Sequence, residues 1–244
     1  MLPSTWGVDD AMKKGLCFYQ EYDKKGRVVV KHSPDAGEVW LVYDNRDRLV
    51  LSQDENQRNR FPAKPNQWSL SLYDDNDRAV VTGLIDDARD RPSMEAMVAA
   101  LNSNAQNRQV NVYAGTWEAI TVYNPVAGNF SGSSATNLII NSLSYYDEYK
   151  TLSHPFIPPA NNDFAPTNDP YVETPTVSQR VKGVSTTTKL RVLDAKYDNG
   201  NLSDEKFLSS TSYFDDKGRV IESFADNIRS GTDMSEVQYD FSGK

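Results

Sequence analysis

The sequence predicts an all-β protein: β-hairpins laid side by side in a wide, curved antiparallel sheet, with one short helix. Three observations predict it. A short turn phrase recurs along the chain. The residues between turns favour strands, with 13 Tyr against 9 Phe and a good supply of Val, Thr and Trp. Hydrophobic content is modest at 38% while aromatic content reaches 11%, the balance of a sheet with one face on a core and the other wet.

The phrase first reads Tyr22-Asp23-Lys24-Lys25-Gly26-Arg27-Val28-Val29. It returns as Tyr43-Asp44-Asn45-Arg46-Asp47-Arg48-Leu49-Val50 and as Tyr73-Asp74-Asp75-Asn76-Asp77-Arg78-Ala79-Val80. A fourth copy, Phe214-Asp215-Asp216-Lys217-Gly218-Arg219-Val220-Ile221, has Phe for Tyr, and Tyr239-Asp240-Phe241-Ser242-Gly243-Lys244 begins a fifth. Self-similarity at about 20 to 30 residues marks a repeat architecture, in which each unit buries its apolar face only against its neighbours. Each copy reads as a tight turn between two strands. The Asp accepts a hydrogen bond from an N–H two residues on. Gly26 supplies the positive φ where a type I turn runs into a G1 bulge. Asp47 and Asp77 hold the equivalent place, and Asp tolerates the left-handed region better than most residues. Tyr22 and Arg27 flank the turn and are expected to face each other across the strands, an Arg–Tyr contact of roughly 0.5–1 kcal/mol.

These residues resemble the YD repeats of the Rhs/YD-repeat superfamily, in particular the long YD-repeat proteins of the Bacteroidetes group. The run from Glu38 to Arg58, with Val42-Tyr43-Asp44 and Gln53-Asp54-Glu55-Asn56-Gln57-Arg58, is similar to a stretch of that family. So are Gln67-Trp68-Ser69, Val81-Thr82-Gly83, Val181-Lys182-Gly183 and the segment from Tyr213 to Asn227. The resemblance is weakest over 100–140 and 153–176. It implies hairpins wound into a spiralling β-shell, part of a larger secreted or cell-surface protein. In some members the shell encloses a C-terminal toxin. The implied partners are the other segments of the parent chain and, where one exists, an enclosed effector. The Asp-Pro-Gly-rich self-cleavage region that ends many Rhs shells does not occur here, and no separate effector follows. The chain is therefore expected to be a fragment, with any secretion signal outside it.

Residues 1–15 read as polar and irregular with one helical turn. Three hairpins follow from Leu16 to Gly83, and Asp54 to Pro65 is a polar excursion between them. Pro92 suits a first helical position, and Met94, Met97, Val98 and Leu101 form one apolar stripe. This is the single expected helix, a lid on the sheet. Gln109–Tyr113, Trp117–Tyr123 and Asn137–Tyr146 read as strands, with a Gly/Ser loop at 128–134. Tyr146-Asp147-Glu148-Tyr149 starts like a repeat but has no Arg. Six prolines fall between Ser153 and Thr176. That stretch is either a domain boundary or, as preferred here, an inserted loop (153–176) that leaves and rejoins one continuous β region spanning 1–244. Val184–Val192 is a strand, Asn199-Gly200 marks a hairpin, and Phe207–Tyr213 and Val220–Phe224 flank the Gly218 turn.

A net charge of −8 lacks the basic footprint that nucleic-acid binding needs, and no apolar run approaches the roughly 20 residues of a spanning helix. Cys17 is the only cysteine and reads as a packed thiol in a buried strand. The two histidines, His32 and His154, lack the spacing of a zinc site. No Gly-x-Ser-x-Gly elbow or nucleotide-binding glycine pattern occurs. The acidic runs Asp74–Asp77 and Asp86–Asp90 are weak calcium candidates. No catalytic, cofactor or metal residue is assigned. The residues assigned a structural role are Tyr22, Asp23, Gly26, Arg27, Tyr43, Asp44, Arg48, Tyr73, Asp74, Arg78, Phe214, Asp215, Gly218 and Arg219. A second reading is an extracellular module that binds a glycan or a protein through Trp40, Trp68 and Trp117.

Overall fold

The computed structural model of the chain describes residues 10–59, 66–103, 109–112, 120–123, 138–149, 154–157, 171–192, 207–240 and 242–243. The expected Ala114-Gly115-Thr116 turn, the 128–134 loop, the Asn199-Gly200 hairpin turn, Trp117 and most of the proline-rich stretch lie outside the described residues. The described chain is all-β and antiparallel. It divides into two compact units, Met1–Asn111 with Thr121–Ile139, and Val112–Ile120 with Ile140–Lys244.

In the first unit a helix α1 (Asp10–Leu16) precedes strands β1 (Tyr19–Tyr22), β2 (Val28–Ser33), β3 (Gly37–Tyr43) and β4 (Leu49–Gln53). A one-turn helix α2 (Glu55–Arg58) leads to β5 (Gln67–Tyr73), β6 (Ala79–Asp86) and helix α3 (Arg91–Ser103). β7 (Gln109–Val112) pairs with β8 (Ile120–Tyr123), which meets β5 where Tyr123 lies opposite Tyr73. β1 to β6 follow one another in the sheet in chain order. That order is the outcome when every connection is a hairpin or a short excursion. Alternation is clearest in β5, where Trp68, Leu70 and Leu72 are buried and Ser69 and Ser71 are half-buried, as expected for a strand with one face on the core.

α3 packs on β3. Its Met94 and Val98, four residues apart, are fully buried and Met97 is half-buried, so these three of the expected stripe turn toward the sheet, while the Leu101 side chain lies outside those described. Asp90 caps it: its side chain accepts from the Ser93 N–H at 3.0 Å and its carbonyl from Met94 at 3.0 Å. Pro92 is thus the second helical residue, one place later than expected. α2 lies where the sequence reads as a polar excursion. A single turn shows no periodicity, but Asp54 and Gln57 form a reciprocal capping box at its start.

The Cys17 region differs from expectation. Leu16 ends α1 and is 72% exposed, Phe18 is 79% exposed, and β1 begins only at Tyr19. Cys17 is half-buried rather than packed in a strand. β1 is an outer strand with mostly exposed side chains, so a run of apolar letters there does not signify burial.

The second unit orders β9 (Leu138–Tyr146), β10 (Ser185–Arg191), β11 (Phe207–Phe214), β12 (Val220–Asp226) and β13 (Thr232–Glu236) as antiparallel neighbours. Tyr213, Ile221 and Phe224 form its core, with Tyr149, Phe156, Ile157, Val177 and Tyr239 packed against them. The chain leaves β9 at Tyr146 and returns opposite it at Ser185. Asp147 still closes this long connection as a repeat aspartate would: its N–H donates to the Val184 carbonyl and its Oδ1 accepts from the Gly183 N–H.

Candidate functional site

The four complete copies of the phrase share one backbone. In each, the first residue pairs with the seventh across the hairpin: Tyr22 with Val28, Tyr43 with Leu49, Tyr73 with Ala79, Phe214 with Val220. Each has a bulge immediately before that first residue. The fifth residue has positive φ in every copy, at 78° for Gly26, 60° for Asp47, 61° for Asp77 and 76° for Gly218. The turn closes through two backbone bonds, such as Asp23 N–H to the Arg27 carbonyl at 2.9 Å and Gly26 N–H to the Asp23 carbonyl at 3.0 Å.

The second-position aspartate holds this shape. Oδ1 of Asp44 accepts from the backbone N–H groups of Arg46 and Arg48 at 2.9 and 3.0 Å, and Oδ2 takes Nε of Arg48 at 2.7 Å and Nη2 at 2.6 Å. Asp23 with Arg27 and Asp74 with Arg78 repeat this hydrogen-bonding pattern, and Asp215 with Arg219 repeats it through the two amides and Nε, with Nη2 of Arg219 going to Glu173 instead. A carboxylate that accepts two amides and a guanidinium fork is strongly fixed. Burial pushes the Asp23 carboxyl up, but the Arg27 amide and guanidinium outweigh it and hold it below the usual carboxylate range. The same balance acts at Asp215, with Arg219 as the partner.

The arginine does not face the tyrosine of its own hairpin, as the sequence reading expected. Arg27 lies over Tyr43, 4.8 Å from the ring centroid, and Arg48 over Tyr73 at 4.7 Å. Arg219 lies over Tyr239 at 4.2 Å. Each tyrosine answers with its hydroxyl. Tyr43 donates to the carbonyl of Val28, Tyr73 to that of Leu49 and Tyr239 to that of Val220, at 2.8–3.0 Å. The acceptor is in each case the residue after the stacked arginine. In the second hairpin Arg48 is tied to the turn aspartate and Tyr43 sits at the bulge, and the ring and the guanidinium point to opposite neighbours.

The fifth position completes the coupling. Asp47 Oδ1 accepts from Nη1 of Arg27 at 2.7 Å and from Nζ of Lys25 at 2.8 Å. Asp77 accepts from Nη1 of Arg48 at 2.7 Å and Nη2 of Arg46 at 2.8 Å. Donation from Lys25, with the nearby Arg27 charge, holds the exposed Asp47 carboxyl below the usual carboxylate range. The fifth copy has Gly243 at this position, with φ 84°. There the carboxylate comes from elsewhere: Glu173 accepts from both Lys217 and Arg219. Those two donors hold its carboxyl low. Its segment runs beside the fifth copy, with the Glu173 N–H on the Tyr239 carbonyl at 2.8 Å. It leaves a cleft of about 210 Å³ against the fourth turn, whose cations are committed to Glu173 and Asp215.

Glu173 and the fourth-position cations were not singled out by the sequence reading, and Asp47 and Asp77 were read only as turn residues in the glycine's place. Lys25, Arg46 and Lys217 share one offset and signal their role. Glu173 gives no such signal, because it lies in a proline-rich segment without periodicity. A further turn was also missed. Asn227 accepts from the N–H groups of Arg229 and Gly231 at 3.1 and 2.9 Å, with Ser230 at φ 65°. It is the same turn with Asn for Asp and Gly in the arginine's place.

The other candidates have structural partners. Asp77 belongs to the ladder, Asp86 accepts from Gln67, Asp87 pairs with Arg89, and Asp90 caps α3. His32 is buried, stacked on Tyr19 at 4.6 Å with Nδ1 2.9 Å from the Cys17 carbonyl. His154 Nε2 is 2.8 Å from Asp226. Trp68 is fully buried, and Arg58 lies over the ring of Trp40 at 4.1 Å.

No family model matches the chain, and no curated protein does. Among solved structures it is weakly similar to one titled "Crystal Structure of TcdB2-TccC3-TEV", at 11% identity and a TM-score of 0.23. The match covers 93% of this chain and spans about a tenth (10%) of the length of that one. A likeness this loose carries no argument about what the chain does.

Proposed function

We propose that the chain is a structural YD-repeat segment, one section of the β-shell or scaffold of a larger secreted or cell-surface Rhs-like protein. The observation that carries this reading is the direction of the arginines. Arg27, Arg48 and Arg219 each lie on the tyrosine of the following copy, and that tyrosine's hydroxyl donates back to the hairpin the arginine came from. Polar groups used in this way build a wall in which each strand pair is fastened to its neighbour. The role is mechanical, and the reading assigns the chain no catalytic step or cofactor. The implied partners are other segments of the parent chain and, where one is present, an enclosed C-terminal effector. The second reading, a glycan- or protein-binding module, gains little from the two described tryptophans: one has no accessible face and the other is already stacked on a cation.

The test is to express the whole open reading frame that encodes this chain and image it by cryo-electron microscopy. The expected result is density in which these strands continue into neighbouring hairpins as one curved wall. Density showing a free-standing domain on a linker would overturn the reading. Saturable binding on a saccharide array would favour the module instead.

A further inference from the structure

We propose that the outer edge of β1, with the ring of Tyr22 at its end, is a docking site for a further β-hairpin that carries cations at the fourth and sixth positions of the phrase. This rests on the structural reading above and deepens it by naming the chemistry of the neighbour.

The internal repeats define what an occupied position looks like. Tyr43, Tyr73 and Tyr239 each carry an arginine on the ring and donate to the carbonyl of the residue after that arginine. Tyr22 holds the same place in its own hairpin, opposite Val28 with the same bulge. Yet its side chain is 59% exposed, and its hydroxyl turns back to Gln20 on its own strand at 2.8 Å. The fifth position agrees. A Cβ added at Gly243 would stand 3.8 Å from Nη1 of Arg219, the arginine of the preceding repeat. At Gly26, with nearly the same φ, nothing stands within 4 Å. Gly218 in the fourth copy is equally open, so the side of the turn that meets an arginine at Asp47, Asp77 and Gly243 is open space at both Gly26 and Gly218.

The surface beside it suits a strand. β1 is outermost in its sheet among the described residues, with side chains mostly exposed. Met12, Leu16 and Phe18 leave apolar surface exposed next to it. An incoming hairpin would add main-chain hydrogen bonds along β1 and cover that surface, the mode of recognition called β-augmentation. Its sixth-position guanidinium would lie over Tyr22, and Tyr22 would exchange Gln20 for the hairpin's seventh-position carbonyl. Gly26 offers no carboxylate to the fourth-position cation, so this junction is weaker than the internal ones. Gly26→Asp would supply that carboxylate where Asp47 and Asp77 do.

The probe is a labelled synthetic peptide copying residues 37–53, which includes Arg46 and Arg48, titrated with the intact chain and followed by fluorescence anisotropy. Saturable binding is expected. It should weaken about fivefold to tenfold with an Arg48→Met peptide or with the Tyr22→Leu protein, and tighten several-fold with Gly26→Asp. Circular dichroism would confirm that both protein variants remain folded. No binding up to about 1 mM peptide, or binding indifferent to all three substitutions, would overturn the proposal. So would concentration-dependent dimers in sedimentation velocity that the peptide does not dissociate, since the edge would then belong to a second copy. Failure here beside a continuous wall in the images would leave the wall reading intact. Ladder-dependent binding beside a free-standing domain would do the reverse.

Discussion

Arg27 stacks on Tyr43 and not on Tyr22, although Tyr22 and Arg27 flank the same turn. The recurring phrase is therefore a fastening between hairpins as well as a turn. The aspartate shapes the bend, while the tyrosine and arginine face in opposite directions along the sheet. Swapping one hairpin for an unrelated one would break contacts on both sides of it.

A double-mutant cycle should locate that coupling. Arg48→Met and Tyr73→Leu, measured singly and together by urea denaturation, are expected to show an interaction of about 0.5–2 kcal/mol. Arg27→Met with Tyr22→Leu should be additive to within about 0.5 kcal/mol. Equal coupling in both pairs would place the arginine back on its own tyrosine.

Asp44→Ala should be the most costly change at the turn aspartates. The Asp44 side chain is 2% exposed and that of Arg48 10%. Truncation leaves the Arg48 guanidinium with Asp77 alone and takes the acceptor from two amide N–H groups in the interior. Breaking a buried pair in this way costs about 3–5 kcal/mol. Asp74→Ala should cost less, because that pair is more open to water, at 15% and 22%. Thermal melts of the two variants would rank them.

The hairpins and their register were legible because they depend on local chemistry: a turn aspartate, a residue able to adopt positive φ, and an arginine at a fixed offset. The helix α3 was legible from its Met94/Val98 stripe. What joins one hairpin to the next was not, since the sequence places Tyr22 five residues from Arg27 but does not say which way either side chain points. Asp47 and Asp77 were read as tolerable substitutes for glycine. The structure shows a positive reason for them, as acceptors for the preceding repeat's cations. Glu173 was invisible because nothing in 171–178 repeats. The exposure of Leu16 and Phe18 was misread because an apolar run looks the same on an outer strand as on a buried one.

Gly26 separates the backbone requirement from the side-chain one. Its φ is 78°, and a Cβ there would meet no neighbouring atom. Any penalty on substitution is thus conformational. Gly26→Val should destabilise the hairpin by roughly 1–3 kcal/mol, and Gly26→Asp by less, since Asp47 and Asp77 already adopt this conformation. Equal melting temperatures for the two variants would contradict this.

Glu222 should make the second unit less stable as pH rises. Burial pushes its carboxyl up, and Glu236, paired opposite it on β13, adds to the shift against the Ile157 N–H that donates to it. A raised value in the folded state means that its contribution is fully present below the ordinary glutamate value of about 4.3 and is lost as pH climbs through the folded value. Glu222→Gln keeps an oxygen for Ile157 and removes the charge. Its melting temperature should exceed that of wild type at pH 7, with the two curves converging near pH 4. A gap of constant size across that range would show that the carboxylate's ionisation is not the cause.

Glu173 and Gly243 should be exchangeable. Glu173 supplies the carboxylate that Asp47 and Asp77 supply in earlier repeats, and it does so beside the one repeat whose fifth residue is described as Gly243. Glu173→Ala should lower the melting temperature at neutral pH by leaving Lys217 and Arg219 short of an acceptor. Because the Glu173 carboxyl is held low by those two donors, its stabilising effect is present above its ordinary value and fades as pH falls through the lowered one. The gap from wild type should accordingly shrink in acid. Gly243→Asp should then rescue Glu173→Ala, because a side chain at 243 starts 3.8 Å from Nη1 of Arg219 and aspartate accepts the left-handed backbone found there. Rescue by aspartate but not by asparagine would identify the missing quantity as charge at that point of the ladder. Failure of Gly243→Asp to recover any stability would mean that Glu173 acts by holding its own segment down rather than by standing in for an aspartate.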